Sequence, residues 1–437
     1  MKKQTCLKEF LRYSSLNVLG MLSLSCYILA DTFFVSKGLG ANGLAALNLA
    51  IPVYSLIHGT GLMLGMGGAT RYSILKSRNL EKEGNAVFTH TLMLTAGLAA
   101  VFVLLGIFLS EPVTALFGAD EAVSAMCRTY LKVLLLFAPA FLLNDVILCF
   151  VRNDGAPGLS MAAMVSGSLS NVLLDYIFIF PLNMGIFGAV FATGLAPVIS
   201  LGIMSVYFLQ RKNSFHPIRC SFSIRRWGYI AVTGASSFVA ELSSGIVIIV
   251  FNAIMLELKG NEGVAAYGII ANLSLVVTAI YTGIAQGSQP LFSKNYGKGN
   301  KREIEAILRY ALITVGILSA AVYLTVFFGA EGIASIFNSE KNAELQTIAV
   351  WGLKLYFTAC IFNGCNIMMS IYFTSVDYVK PAHLISVLRG FLLIVPLSFL
   401  LSQVFGMTGL WLAFPVTEFI VAVIGAGLYV QYRRSFH

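Results

Sequence analysis

Charge is scarce in this chain. Of its 437 residues 11% are charged and 57% hydrophobic, with a mean hydropathy of +0.82. Length alone would suggest two or three soluble domains at roughly 150 residues each. So little charge excludes a mostly solvated chain, and the bulk of it is expected in lipid. The sequence also lacks a nucleotide-binding Gly-rich loop, a zinc-spaced His/Cys set and a serine-nucleophile elbow. Those absences argue against an ATP-driven pump and against a metal-dependent membrane enzyme; no enzyme activity and no cofactor are expected. The seven cysteines (Cys6, Cys26, Cys127, Cys149, Cys220, Cys360, Cys365) show no metal-ligand spacing. Most fall in apolar runs, where Cys acts as a small hydrophobe. His58, His90, His216, His383 and His437 do not cluster. No cleavage site precedes the first apolar run, so a retained first helix is expected rather than a signal peptide.

What is present is a series of apolar runs. A spanning helix needs about 20 apolar residues, and twelve candidates fit: 13–37, 43–74, 85–110, 122–151, 157–182, 185–210, 226–257, 263–294, 302–329, 343–376, 381–404 and 406–432. The net charge of +9 would suggest nucleic acid in a soluble protein. Here the basic residues lie in alternate loops: Met1–Arg12, Lys76–Lys82, Arg152–Ala156, Arg211–Arg226, Lys294–Arg302, Asp377–Lys380 and the Arg433-Arg434 tail. The opposite loops Glu111–Glu121, Glu257–Glu262 and Glu331–Glu344 are mostly acidic. Lysine and arginine stay on the cytoplasmic side, so both termini are expected inside, with no nucleic-acid partner.

The Arg211–Arg226 connector divides the chain into halves, 1–217 and 218–437, which resemble each other weakly. Gly43–Ala46 (G-L-A-A) matches Gly263–Ala266 (G-V-A-A) at an offset of 220, a register that also pairs Gly67 with Gly287 and Ser73 with Ser293. Gly185, Gly188 and Ala192 match Gly406, Gly409 and Ala413 at 221, and Leu131-Lys132 matches Leu353-Lys354 at 222. Six spans per half is even, so the second half repeats the first in the same orientation. Such halves are related by an axis along the membrane normal, as in transporters that rock two bundles around a central cavity.

Within this frame one stretch stands out, Ser168–Asp175 (S-L-S-N-V-L-L-D). Asn171 and Asp175 are spaced i, i+4 and share one helix face. A carboxylate at that depth costs at least roughly 2.5 kcal/mol on insertion scales, so it must face a partner or a wet cavity. Asp31 in the first run and Thr193 in the sixth sit at about the same depth, roughly 10 Å below the outer surface at 1.5 Å per residue, with Asn171 one turn deeper. Two carboxylates, an amide and a hydroxyl from three helices are a hard-oxygen set suited to H⁺ or a small cation such as Na⁺. Two close carboxylates also cannot easily both carry charge.

These residues resemble the multidrug and toxic-compound extrusion (MATE) transporters over essentially the whole chain. The most specific parts are Ala30–Leu47 (A-D-T-F-F-V-S-K-G-L-G-A-N-G-L-A-A-L), Asn171–Asp175 (N-V-L-L-D) and Gly185–Thr193 (G-I-F-G-A-V-F-A-T). The resemblance implies an all-α polytopic membrane protein whose two six-helix bundles form a V-shaped cavity. It implies a secondary antiporter of a prokaryotic cytoplasmic membrane, acting as a monomer and exporting cationic or amphipathic drugs against H⁺ or Na⁺. In the branch similar to the bacterial DinF proteins the amino-terminal lobe binds the coupling cation, at positions matching Asp31, Asn171, Asp175 and Thr193. These four would also be the metal ligands if Na⁺ couples. Two departures are visible. Tyr13–Phe34 has no proline where that branch commonly bends its first helix, and Ile361–Ser370 offers Asn363 and Asn366 where the other branch has a carboxylate. Glu241 matches an acid position of that other branch. It is either a second protonatable group or a structural hydrogen-bond partner of Ser243, Ser244 or a facing helix.

The remaining polar groups in the apolar runs have plainer readings. For Asp145 a structural pairing is favoured over transport. Lys132 and Lys354 are placed to snorkel. Tyr54, His58, Asn272, Gln286 and Gln289 suit either a cavity lining or packing, and Gly61, Gly65, Gly67 and Gly68 suit close helix packing. Met and Phe side chains supply lipid-facing surface and an adaptable drug-contacting wall. Two rivals share these features. A lipid-linked oligosaccharide flippase of the same superfamily would want a cationic cavity, whereas charges in the first half are mainly acidic. A membrane receptor or enzyme without transport fits two repeated six-helix halves poorly.

Overall fold

The computed structural model of the protein describes residues 2–108, 121–338 and 341–435. Eight helices are long and apolar enough to cross a membrane, and a ninth span is the bent pair Val123–Leu136 and Ala138–Asn153, folded by 47°. Three of these, within Lys2–Ser77, Ile224–Gly297 and Val379–Arg434, are broken at Gly40, Gly260 and Gly406. Each break is a reversal. The Tyr27 and Tyr54 hydroxyls, about equally far from Gly40, lie 2.8 Å apart, and the rings of Phe251 and Tyr267 stack at 5.1 Å. A straight helix would hold either pair some 24 Å or more apart, at about 1.5 Å per residue. Counting the three doubled helices as two each gives twelve membrane-length segments among the described residues.

The segments follow the apolar runs closely, with corrections at the outer turns. Residues 257–262 and 405 are not loops; helix runs to the glycine and resumes after it. Gly40, Gly260 and Gly406 share φ of 58–66° with ψ near −135 to −159°. That backbone region is essentially closed to residues with a Cβ, so one glycine does the work of a loop. Lys301–Phe337 continues eight residues beyond the run ending at 329, and the first helix starts at Lys2, inside the expected basic loop. The acidic loop at 111–121 lies, but for its last residue, outside the described residues, as do 339–340 and His437. The fourth span bends at Phe137, just before Pro139, whose ring and missing N–H break the helical ladder.

Positive-φ positions recur between the halves: Gly40 with Gly260, Asn79 with Gly299, Gly155 with Asp377, and Gly185 with Gly406. Their offsets of 220, 220, 222 and 221 equal those of the sequence matches. The interface between halves is reciprocal as well. A Cβ on Gly67 of the second span would strike the Ile230 carbonyl of the seventh, and one on Gly287 of the eighth would strike Tyr13 and Ser14 of the first. Gly234 likewise abuts Met63, and Gly283 abuts Val18. Small residues let backbones approach where lipid supplies no hydrophobic drive. Gly61, Gly65 and Gly68 pack instead within the first half, against Asp145, Cys149, Thr91 and Phe150.

Both termini lie at one end of the bundle. Phe10 packs on Tyr310 and Arg433 pairs with Glu305, both near the start of Lys301–Phe337. The halves are bonded toward this end, by Asn17 to the Gly283 carbonyl at 3.0 Å and Gln289 to Thr70 at 3.0 Å. The connector is fastened there too. Buried Phe215 sits among Tyr72, Phe88, Phe150 and Phe208, and the buried Asp154 carboxylate accepts from Tyr72, Lys76, Tyr207 and the Ser214 N–H at 2.6–2.9 Å.

Candidate functional site

The four residues singled out by spacing meet in the structure. Asp31, Asn171, Asp175 and Thr193 are buried at 7, 0, 0 and 3% exposure. Asp31 and Asp175 lie within hydrogen-bonding reach of each other, a contact that needs a proton or other cation between two carboxylates. The Asn171 amide links the fifth and sixth spans: its nitrogen donates to Asp175 Oδ2 at 3.0 Å and its oxygen accepts from the Thr193 N–H at 3.2 Å. The Thr193 hydroxyl donates back to the Ala189 carbonyl at 3.1 Å. Tyr130, from the outer piece of the bent fourth span, reaches Thr193. Among the described residues Asp31 Oδ1 and Asp175 Oδ1 have no hydrogen-bond partner, and no basic side chain pairs with either acid. Buried acceptors left bare are costly, about 1–3 kcal/mol each and more when charged. The niche therefore favours a bound cation.

An open cavity adjoins the niche, walled almost wholly by the first half. Tyr27 and Ser168 contribute to its wall, and each precedes a niche residue on its own helix by about one turn, Asp31 and Asn171 respectively. Asp145 also lines it, paired with His58 Nδ1 at 2.9 Å, so this acid does make a structural pairing. Tyr54 stacks on His58 across 5.8 Å. Arg152 closes the floor with Gln286 across the halves, at 3.2 Å to its side-chain oxygen. Gln286 thus both lines and packs, Gln289 packs, and Asn272 is exposed.

Glu241 does not join the niche. It packs against Gly59, near enough to His58 and Asp145 for their charges to act on it. Ser243 and Ser244 bond to backbone carbonyls, those of Val239 and Glu241, rather than to its side chain. Three polar centres escaped the sequence reading. One is Asp154 at the connector. Another is Asp377, which pairs with Arg71 at 3.7 Å and bonds Tyr229. The third is Arg389 with Glu418, buried between the eleventh and twelfth spans. Opposite charges in neighbouring apolar runs were the available signal for that last pair.

Twelve membrane-length segments in two reciprocal halves, with a buried acid pair beside a cavity, define a multi-pass membrane transporter rather than an enzyme. The chain belongs to the MatE family, whose sequence model matches residues 18–177 and 236–400. It is similar to a multidrug export protein, MepA, of Staphylococcus saprophyticus, 26% identical over 97% of this chain and 93% of that one. MepA of Staphylococcus aureus strain MSSA476 is 24% identical over the same shares. Among solved structures, a MATE crystallised with MaL6 superposes with a TM-score of 0.92 at 24% identity, covering 98% of this chain and 96% of that one. An outward-facing multidrug resistance MATE transporter of the MOP superfamily gives 0.90 at 25% identity over the same shares. The fold is the MATE fold, and bacterial relatives of this kind make the chain a protein of a bacterial membrane.

Proposed function

We propose that the chain is a multidrug antiporter of the cytoplasmic membrane, exporting cationic or amphipathic small molecules in exchange for an inward cation. The carrying observation is the Asp31–Asp175 pair, bare of any basic partner and one helical turn from the cavity. In this reading Asp31, Asn171, Asp175 and Thr193 form the coupling site, and residues 1–217 and 218–437 act as two bundles. The assignment to the DinF-like branch rests on these four residues. Basic loops at the end holding both termini support a cytoplasmic placement of that end. Since the halves are bonded there, the conformation is read as outward-facing. The unit is a monomer, with no nucleic-acid partner.

A proton is the favoured coupling ion. The Asn171 oxygen already accepts from the Thr193 N–H, leaving two bare carboxylate oxygens and the Thr193 hydroxyl lone pairs, ample for a proton but a thin shell for Na⁺. Each inward charge contributes about 2.3 kcal/mol per 100 mV. Occupying the niche changes the charge between the first and fifth spans, which biases the two bundle arrangements; by linkage, bound drug must shift cation affinity by the same factor. Dye efflux from proteoliposomes at fixed pH, with and without a sodium gradient, tests the choice. Efflux driven by a proton gradient in sodium-free buffer is expected, and a strict sodium requirement would reverse it.

A further inference from the structure

The second half carries an intramembrane ion pair that the mechanism above does not use. Glu418 of the twelfth span has a side chain 1% exposed, and Arg389 of the eleventh is 16% exposed. Arg389 Nη2 and Nε donate to Glu418 Oε1 at 2.8 and 3.1 Å, a fork on one carboxylate oxygen. Asn366 of the tenth span donates to Oε2 at 2.7 Å and to the Glu418 carbonyl at 2.8 Å. The Asn363 side-chain oxygen accepts from Arg389 Nη2. The backbone is adapted to this arrangement. Arg389 sits in a π-turn, Leu388–Leu392, and the next residue is Gly390, where a Cβ would strike Ser243. Single π-turns of this kind gather at functional sites.

The repeat says what this network replaces. An offset of 222 carries Asn363 and Asn366 onto Phe141 and Asn144, and 221 carries Arg389 and Glu418 onto Ser168 and Pro197. All four counterparts line the first-half cavity. The second half has therefore filled, with a guanidinium and its acceptors, the place that the first half keeps open.

We propose that Arg389 is a tethered occupant of a second, latent cavity, and that the acceptors holding it, Glu418 and Asn363, form a site for a guanidinium-class cation once its side chain is removed. The planar fork is what such a site selects; a compact ammonium or Na⁺ matches one contact at a time. On the antiport reading above, substrate and coupling cation are then confined to the first half, because the second half carries its own cation covalently.

The test uses the full chain in detergent and reads thermal unfolding, with no transport step, so its result stands apart from the fate of the antiport reading. Arg389→Ala leaves Glu418 buried and unpaired, and its midpoint is expected to fall by about 5 °C or more. Guanidinium chloride at low millimolar concentration should restore most of that loss and saturate. Sodium chloride matches ionic strength and urea matches shape without charge; neither should restore it, and wild type should gain nothing saturable. Restoration no greater than with sodium chloride overturns the site. Should Arg389→Ala not fold, Arg389→Gln with Glu418→Gln removes both charges at once. That double variant is expected to fold and to ignore guanidinium; a saturable gain in its midpoint overturns the site.

Discussion

Arg71 and Asp377 face each other across the two halves at 3.7 Å, and Tyr229 joins them, its ring 4.8 Å from the guanidinium and its hydroxyl on the carboxylate. Asp377 is the repeat counterpart of Gly155, beside the Asp154 that anchors the connector. The pair thus latches the halves at the end that is closed. Both side chains are about a quarter to a third exposed, so solvent screening limits the latch to about 1 kcal/mol. Arg71→Gln is expected to shift the balance of bundle arrangements by up to about fivefold toward opening at this end. Spin labels at Arg78 and Lys298 would report it as a longer distance gaining population; an unchanged distribution would show that the pair is no latch.

The glycine seats carry more. Gly67→Ala puts a methyl into the Ile230 backbone, which cannot move aside like a side-chain tip. It is expected to prevent closure and to cut export by an order of magnitude or more, with the same label pair showing the open population dominant. Gly97→Ala is the control, since nothing lies within 4 Å of its Cβ. Its thermal midpoint should hold or rise slightly, as replacing a mid-helix glycine gains about 0.5–1 kcal/mol.

Asp154→Ala removes one carboxylate from four donors, a loss of about 1.5–3 kcal/mol for hydrogen bonds to a charged group, while the Lys76 ammonium, a third exposed, turns to water. The connector holds Arg211, Lys212, Arg219, Arg225 and Arg226. Limited trypsin digestion should cut this variant between the halves at least about tenfold faster than wild type. Equal rates would mean that Phe215 alone holds the segment.

Asp31→Asn and Asp175→Asn are each expected to abolish dye export while leaving the protein folded in detergent. Asp145→Asn should lose only a few-fold, because an amide still hydrogen-bonds His58. Efflux per unit of membrane protein decides it. Full activity in both niche variants removes the coupling site, and an Asp145 loss as complete as that at Asp31 moves the site to the cavity wall.

Much of this was legible in the sequence, for physical reasons. Apolar runs of span length, and acids at matched depth within them, have few solutions in lipid, so the spans and the meeting of Asp31 with Asp175 followed from one dimension. The outer turns were misread because hydropathy cannot tell a polar loop from a helix reversing at Gly260. Asp154 and Asp377 looked like ordinary loop acids; their pairing depends on partners up to 306 residues away in the chain, such as Arg71. Arg389 and Glu418 fell in neighbouring apolar runs, and their opposite charges were a signal left unread.

The exchange of seats at Gly67 and Gly287 has one more consequence. Neither half is purely plug or socket, so each presents a face able to meet a second copy of itself as well as its proper mate. A chain severed after Cys220, outside every span, would yield fragments competent to reassemble without a peptide link. Those fragments would also compete to form like-with-like dimers. Joining the two in one polypeptide raises the effective concentration of the right mate and suppresses the wrong pairing.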